Sequence, residues 1–395
     1  MSGSIASART GSAKLEEAAQ CAKKMEATET FKTLDTPLAE FHRNSGARLG
    51  VWFGCALPDD FGDWQREYFY AIQSVALIDQ NSRAYVSLAG PDRTRYLNAI
   101  LTNNIKDLQP GQGSLSLLLN PQGRILAEIE THAQTDKLFC ISYAMVREKL
   151  IETLDKFIIM DDVTLTDDTG RYGTLALEGP AAASLVAELT GFDLNALAET
   201  SSAEVKVDAI ACTITRKTFG GIAAAEVVAA RDSLPSLWRI LSDKTRAAGG
   251  GAIGYTALNA LRLEQGVPWF GYDFGEKQIP HEAGLQDSHI SYTKGCYTGQ
   301  EIVERVRSRG QVNRRRVDLI FPGARVPSAG EILTVDGKEV GFVTRASALP
   351  SRPLAIGMGY LRKENNALAT QVDWAGGTAK VSKFPDDLEA VENIG

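Results

Sequence analysis

Hydrophobic and polar positions change period several times along this chain. Tyr85-Val86-Ser87-Leu88-Ala89 alternates with a period of two, as a half-buried strand does, and Gly90-Pro91 closes it. Residues 93–101 then carry apolar positions at helical spacing, with the proline placed where its missing N–H costs nothing. The unit recurs: Thr174-Leu175-Ala176-Leu177-Glu178 meets Gly179-Pro180 and runs into a helical pattern over 181–189. Two copies predict a duplicated α+β half-domain, with a chance pairing of short units as the alternative. Between the copies, 114–120 and 124–130 read as strands joined by Pro121-Gln122-Gly123, a hairpin. A strand over 138–143 and a helix over 146–157 follow. Strands over 202–230 and helices over 234–247 and 253–266 complete the middle of the chain. After Gly310 the pattern turns β-like: 317–321, 331–335, 339–344 and 354–360 are short strands with Gly, Pro and Asp-Gly turns between them, spaced as in a small antiparallel barrel. Residues 1–34 are rich in Ser, Ala, Lys and Glu and read as a disordered or loosely helical extension. The fold class expected is α+β, with two interwoven α+β domains over 35–315 and a β-barrel over 316–390.

One stretch concentrates candidate chemistry: Lys294-Gly295-Cys296-Tyr297-Thr298-Gly299-Gln300-Glu301. Thr298 and Glu301 have capping-box spacing, and Ile302, Val303 and Val306 follow on one helical face, so a short helix is expected from Gly299 to a stop at Gly310. Cys296 then lies two residues ahead of the cap. Free N–H groups at a helix start, with Lys294 close in sequence, favour thiolate over thiol. The competing account is a small buried packing residue.

Net charge is −7, which argues against a protein that coats nucleic acid, and no direct nucleic-acid partner is expected. No apolar run approaches the roughly 18 residues of a membrane span, so no membrane partner is expected. The first residues lack a signal-peptide core, which makes a cytoplasmic location the expectation. Cys21, Cys55, Cys140, Cys212 and Cys296 are scattered, with no C-x-x-C pair and no cluster-ligand or zinc spacing. His42, His132, His281 and His289 show no metal spacing either, so no metal site is expected.

The octet resembles the Lys-Gly-Cys-Tyr-x-Gly-Gln-Glu signature of the YgfZ-type folate-binding proteins, relatives of the glycine-cleavage T-protein (aminomethyltransferase). The resemblance covers roughly residues 35 to 385. Thr36-Pro37-Leu38 with His42 and Gly46, Thr102-Asn103-Asn104-Ile105 with Gly111-Gln112-Gly113, Leu261 through Pro268, and Pro280 through Leu285 are similar to further blocks of that superfamily. The implied fold is a three-domain cloverleaf around a central folate pocket, with the small barrel at its C-terminal end. The implied function is tetrahydrofolate binding in support of iron–sulfur cluster assembly or repair, including for tRNA-modifying enzymes, with client or assembly proteins as partners. A folate-dependent one-carbon (aminomethyl-type) transferase or demethylase is the alternative.

Three departures bear on that choice. Ala127-Glu128 stands where the T-proteins carry Asp-Asp. Thr218-Phe219-Gly220-Gly221-Ile222 replaces their Gly-Tyr-Thr-Gly-Glu. Ala257-Leu258-Asn259-Ala260 replaces Ala-Arg-Asp-Ser. Losing a proton-handling carboxylate and a charge anchor disfavours aminomethyl transfer. The resemblance makes Cys296 and Lys294 the reactive candidates, and Asn120, Glu128, Arg262 and Gln300 the candidates for holding folate. Each has a second account. Glu128 is a general base or a solvent-facing strand carboxylate. Asn120 bonds a pterin edge or holds its own turn. Arg262 anchors a glutamate tail or forms a buried pair with Glu264 or Glu282. Gln300 and Glu301 are otherwise helix-start residues. Arg305, Arg307, Arg309, Arg314, Arg315 and Arg316 form the dense basic run, either solvated surface or a docking patch for an acidic partner or RNA.

Overall fold

The computed structural model describes residues 33–390. The extension expected over 1–34 therefore lies outside the described residues, apart from its last two positions. The described residues from Asp35 to Ala390 belong to one compact unit.

Two sheets in it share one construction. In the first, strand Arg83–Ala89 leads through helix Arg93–Ile100 into three antiparallel strands, Gly113–Leu119, Ile125–Ala133 and Lys137–Tyr143, then helix Arg147–Phe157 and strand Thr164–Asp167. The second repeats that order with strand Tyr172–Glu178, helix Ala182–Thr190, strands Ser202–Val207, Ile210–Phe219 and Ile222–Ala230, helix Leu234–Ala247 and strand Gly251–Ile253. Spatially, the three-strand run lies beside the founding strand in both sheets, and the last strand closes the far edge. The second sheet differs in one respect: strand Ala76–Asp79 is inserted between the founding strand and the edge. Both Gly-Pro turns serve a close approach. A Cβ on Gly90 would sit 2.2 Å from the Asp162 carbonyl oxygen, and one on Gly179 would sit 2.4 Å from that of Ser74.

Each sheet covers one face with its own two helices. Val86, Leu88, Ile129 and Leu138 pack against Tyr96, Leu97, Leu150 and Leu154. Leu175, Leu177 and Val227 pack against Leu185, Val186, Leu237 and Leu241. Each fully buried leucine contributes about 1.5–3 kcal/mol, so these two layers hold the halves together. Because side chains alternate along a strand, the opposite faces carry the remaining residues: Glu128, Glu130 and His132 on one strand, with Arg83 and Tyr85 on another.

The barrel closes through six strands, Arg314–Pro322, Leu354–Arg362, Lys338–Ala348, Ile332–Val335, Gln371–Trp374 and Gly377–Ser382 in spatial order. The last two in the chain were not expected from the pattern, being short and turn-rich. Leu319, Phe321, Val343, Leu361 and Val381 fill the barrel. Helix Tyr255–Glu264 is buried nearly all round, which is why its apolar positions show so little periodicity. Arg345 of the barrel is buried and reaches Asp273 at 2.7 Å and Asn259 at 3.0 Å, with its guanidinium 4.1 Å from the Trp269 ring centre. Among the described residues, no helix is long and apolar enough to cross a membrane.

Candidate functional site

A cavity of about 360 Å³ opens among the inner faces of the two sheets, helix Tyr255–Glu264, residues 266–269 and 284–289, and Arg316 of the barrel. Phe53, Tyr143, Phe219, Tyr255 and Trp269 supply flat aromatic walls, while Glu128, Glu130 and Glu226 bring carboxylates. The period of two that put Glu128 and Glu130 on one face thus points both inward.

The charges are paired across the two halves. Lys217 Nζ lies 2.5 Å from Glu130 Oε1 and 3.9 Å from Glu226 Oε2. Arg83 approaches Glu226 at 3.3 Å, and His132 Nε2 lies 2.8 Å from Glu130. Burial pushes the Glu130 carboxyl up, but Lys217 and His132 outweigh it and hold the group well below the ordinary glutamate range. Burial pulls Lys217 down, and the charges of Glu130 and Glu226 more than reverse that. Nothing in the local sequence around Glu130, Lys217, Glu226, Arg83 or His289 marked them. A sheet-face pattern around Glu128 offered the one available hint.

Of the residues expected to hold folate, two line the cavity. Glu128 does so with its carboxylate 3.0 Å from His289 Nε2, so it is neither free nor turned to bulk solvent. Arg262 does so from a buried bidentate pair, at 2.7 and 2.6 Å from the two oxygens of Glu178, with the guanidinium 3.8 Å from the centre of the Phe219 ring. Its partner is thus Glu178, 84 residues away in sequence, rather than Glu264 or Glu282. Glu264 instead accepts from Tyr68, and Glu282 lies near Arg124 and Arg314.

Asn120 and Gln300 do not line the cavity. The Asn120 side-chain oxygen accepts from the N–H groups of Gln122 and Arg124, both at 2.9 Å, and holds the hairpin turn. Gln300 opens helix Gln300–Arg309.

Cys296 and Lys294 also lie outside the cavity lining. Cys296 is exposed, whereas Cys55, Cys140 and Cys212 are buried, and burial pushes their thiols up to about 11, 12 and 11. The expected capping box is absent. Gly299, in left-handed backbone at φ 83°, takes the cap position, and Glu301 pairs with Arg305 at 2.6 Å. Gly299 is needed there because its backbone lies against the Asn120 carbonyl at the tip of the Glu128 hairpin. That shifts the helix start by one residue and puts Cys296 three residues ahead of the cap.

The Lys294 ammonium donates to the carbonyls of Asn98 and Leu101, where the end of helix Arg93–Ile100 favours a cation. It lies 5.0 Å from the Tyr297 ring centre, and burial pulls it down to about 8. Its role in this geometry is to clamp the loop. The basic run is largely neutralised: Arg305 pairs with Glu301, Arg307 with Glu304, Arg314 with Glu282 and Arg316 with Asp318.

The cavity suits a flat, polar ligand. Its volume suits a small heterocycle, aromatic walls suit a flat ring, and inward carboxylates suit ring N–H donors. Among the described residues, no cluster of His, Cys, Asp and Glu is placed to hold a metal ion.

The GCVT N-terminal domain family matches residues 38–289, which takes in both sheets and stops short of the Cys296 loop. An aminomethyltransferase of Rubrobacter xylanophilus is 29% identical over 329 residues, covering 83% of this chain and 87% of its own. The human mitochondrial aminomethyltransferase is 29% identical over 373 residues, covering 89% of each. The crystal structure of the glycine cleavage system aminomethyltransferase T from Bartonella henselae superposes with a TM-score of 0.80 over 89% of this chain and 98% of that one, at 23% identity, which establishes the fold.

Proposed function

The chain belongs to the GCVT N-terminal domain family, and from that premise we propose that it is a tetrahydrofolate-binding protein of the YgfZ type that supports assembly or repair of iron–sulfur clusters in other enzymes, tRNA-modifying ones among them. Glu128 would accept from N–H groups of the ligand, and the aromatic walls around Tyr143, Tyr255 and Trp269 would stack on its ring. When bound, tetrahydrofolate supplies nitrogens that carry a one-carbon unit. The observation that carries the reading is Cys296: an exposed thiol on a loop seated against the tip of the hairpin whose strand bears Glu128. A thiol serving a client must be reachable, and the buried cysteines are not.

The test is complementation of a strain lacking the native protein. Cys296→Ala should leave iron–sulfur enzyme activities low while the purified variant still binds tetrahydrofolate in titration calorimetry. Full restoration by Cys296→Ala removes the thiol from the function, and absence of tetrahydrofolate binding by the wild type removes the ligand.

One observation favours a second reading, a folate-dependent one-carbon transferase: Glu128 faces the cavity hydrogen-bonded to a histidine, as a general base would. Tetrahydrofolate and an S-aminomethyl thiol donor, whose carbon is already at the formaldehyde level, should then yield methylene-tetrahydrofolate, ammonia and the free thiol with the wild type and not with Glu128→Gln. Equal yields reject it.

A further inference from the structure

A chain of three hydrogen-bonded side chains, all of them among the residues that line the cavity, runs from an exposed hydroxyl to a half-buried carboxylate. Ser288 is exposed, and its hydroxyl lies 2.7 Å from Nδ1 of His289. Nε2 of the same ring lies 3.0 Å from Oε1 of Glu128, which lines the cavity. His289 is only 4% exposed, so bulk water has little direct access to the ring. With Glu128 ionised, one neutral tautomer satisfies both neighbours: Nε2 carries the hydrogen and donates to the carboxylate, while Nδ1 accepts from the serine hydroxyl. The ring's backbone is fixed as well. Thr102 donates to the His289 carbonyl at 2.7 Å, and the His289 N–H donates to the Leu285 carbonyl at 3.0 Å.

The other ionisable groups around the cavity have their own partners. Glu130 is held by Lys217, Glu226 by Arg83, Arg262 by Glu178 and Arg316 by Asp318. Tyr143 and Tyr255 are both pushed up by burial and stay protonated at neutral pH. Glu128 and His289 are thus left to each other.

We propose that Ser288, His289 and Glu128 form a proton relay between the exposed Ser288 hydroxyl and the Glu128 carboxylate, in which His289 both positions that carboxylate and exchanges its proton. In one passage the Ser288 hydroxyl proton moves to Nδ1 and is replaced from a buffer acid, while the Nε2 proton moves to Glu128. One buffer acid loses a proton, one carboxylate gains one, and the imidazole ends as the other neutral tautomer. The reverse passage resets it. The proposal deepens the reading of this cavity as a ligand site, since a ligand that covers Glu128 and leaves Ser288 exposed would keep this route open for proton exchange.

Nitrogen NMR on the full chain labelled at its four histidines tests the relay without any ligand. The expected result is the Nε2–H tautomer for His289, assigned by the signal missing in His289→Gln. Ser288→Ala should keep that tautomer and slow exchange of the Nε2 proton with solvent. A merely structural histidine would exchange at a rate indifferent to Ser288. The Nδ1–H tautomer in the wild type, or an unchanged exchange rate in Ser288→Ala, overturns the relay. Adding tetrahydrofolate to the same sample tests the ligand separately: if the His289 signals stay unmoved the folate reading fails, while the relay stands or falls on the ligand-free result.

Discussion

Gly299→Ala probes the joint between the Cys296 loop and the cavity hairpin. Gly299 sits at φ 83°, and a Cβ there would lie 2.7 Å from the Asn120 carbonyl oxygen and 3.0 Å from Leu119 Cβ. The carbonyl belongs to a turn that the Asn120 side chain holds with two bonds of 2.9 Å, so it yields only if the turn opens. Two costs add. A left-handed alanine costs about 1–2 kcal/mol. Forcing a methyl into a packed contact costs about 1–3 kcal/mol. The sum is about 2–5 kcal/mol. Gly310, at the far end of the same helix, has φ 66° with nothing within 4 Å of the added atom. Gly310→Ala should therefore cost only the backbone term, about 1–2 kcal/mol. Gly295 has neither left-handed backbone nor a neighbour within 4 Å, and Gly295→Ala should stay within about 0.5 kcal/mol of the wild type. Urea unfolding of the three variants at matched m-values measures the ladder. If Gly299→Ala proves no costlier than Gly310→Ala, the loop does not bear on the hairpin, and the link from Cys296 to the cavity is lost.

Two further substitutions address the buried charges. Arg262→Met leaves Glu178, which is fully buried, without its bidentate partner, and should cost about 3–5 kcal/mol in urea unfolding; Arg262→Met with Glu178→Leu should recover much of that. A single-variant cost below about 1 kcal/mol would mean the pair is not isolated from water. Glu130→Gln tests the acid limb. The native carboxyl lies below the ordinary value near 4.5, so its contribution is fully present above that value and disappears as pH falls through the native one. Wild-type stability should decline below about pH 4.5, whereas Glu130→Gln should be weaker at pH 7 and flatter in acid. Parallel pH–stability curves would remove Glu130 from the acid response.

Part of the site is legible in the sequence. The Pro121-Gln122-Gly123 turn placed Glu128 on a hairpin, and the octet singled out Cys296, which is indeed exposed. The cap lies one residue later than the Thr298–Glu301 spacing predicts, because contact with Asn120 requires glycine at the cap itself. Lys294 read as a neighbour of Cys296, yet its ammonium is claimed by carbonyls some two hundred positions earlier in the chain. Asn120 followed the turn chemistry of its own hairpin.

What the chain determined by itself is local: where strands alternate, where Gly-Pro turns them into helices, and which faces are apolar. Each depends on residues a few positions apart, whose spacing is fixed by backbone geometry. Which charge meets which was decided only by assembly. Glu128, Lys217, Arg262 and His289 come from four separate segments. A charge taken out of water must find an opposite charge or a hydrogen-bond donor within a few ångströms, and that distance exists only once the two sheets and helix Tyr255–Glu264 have packed around the cavity.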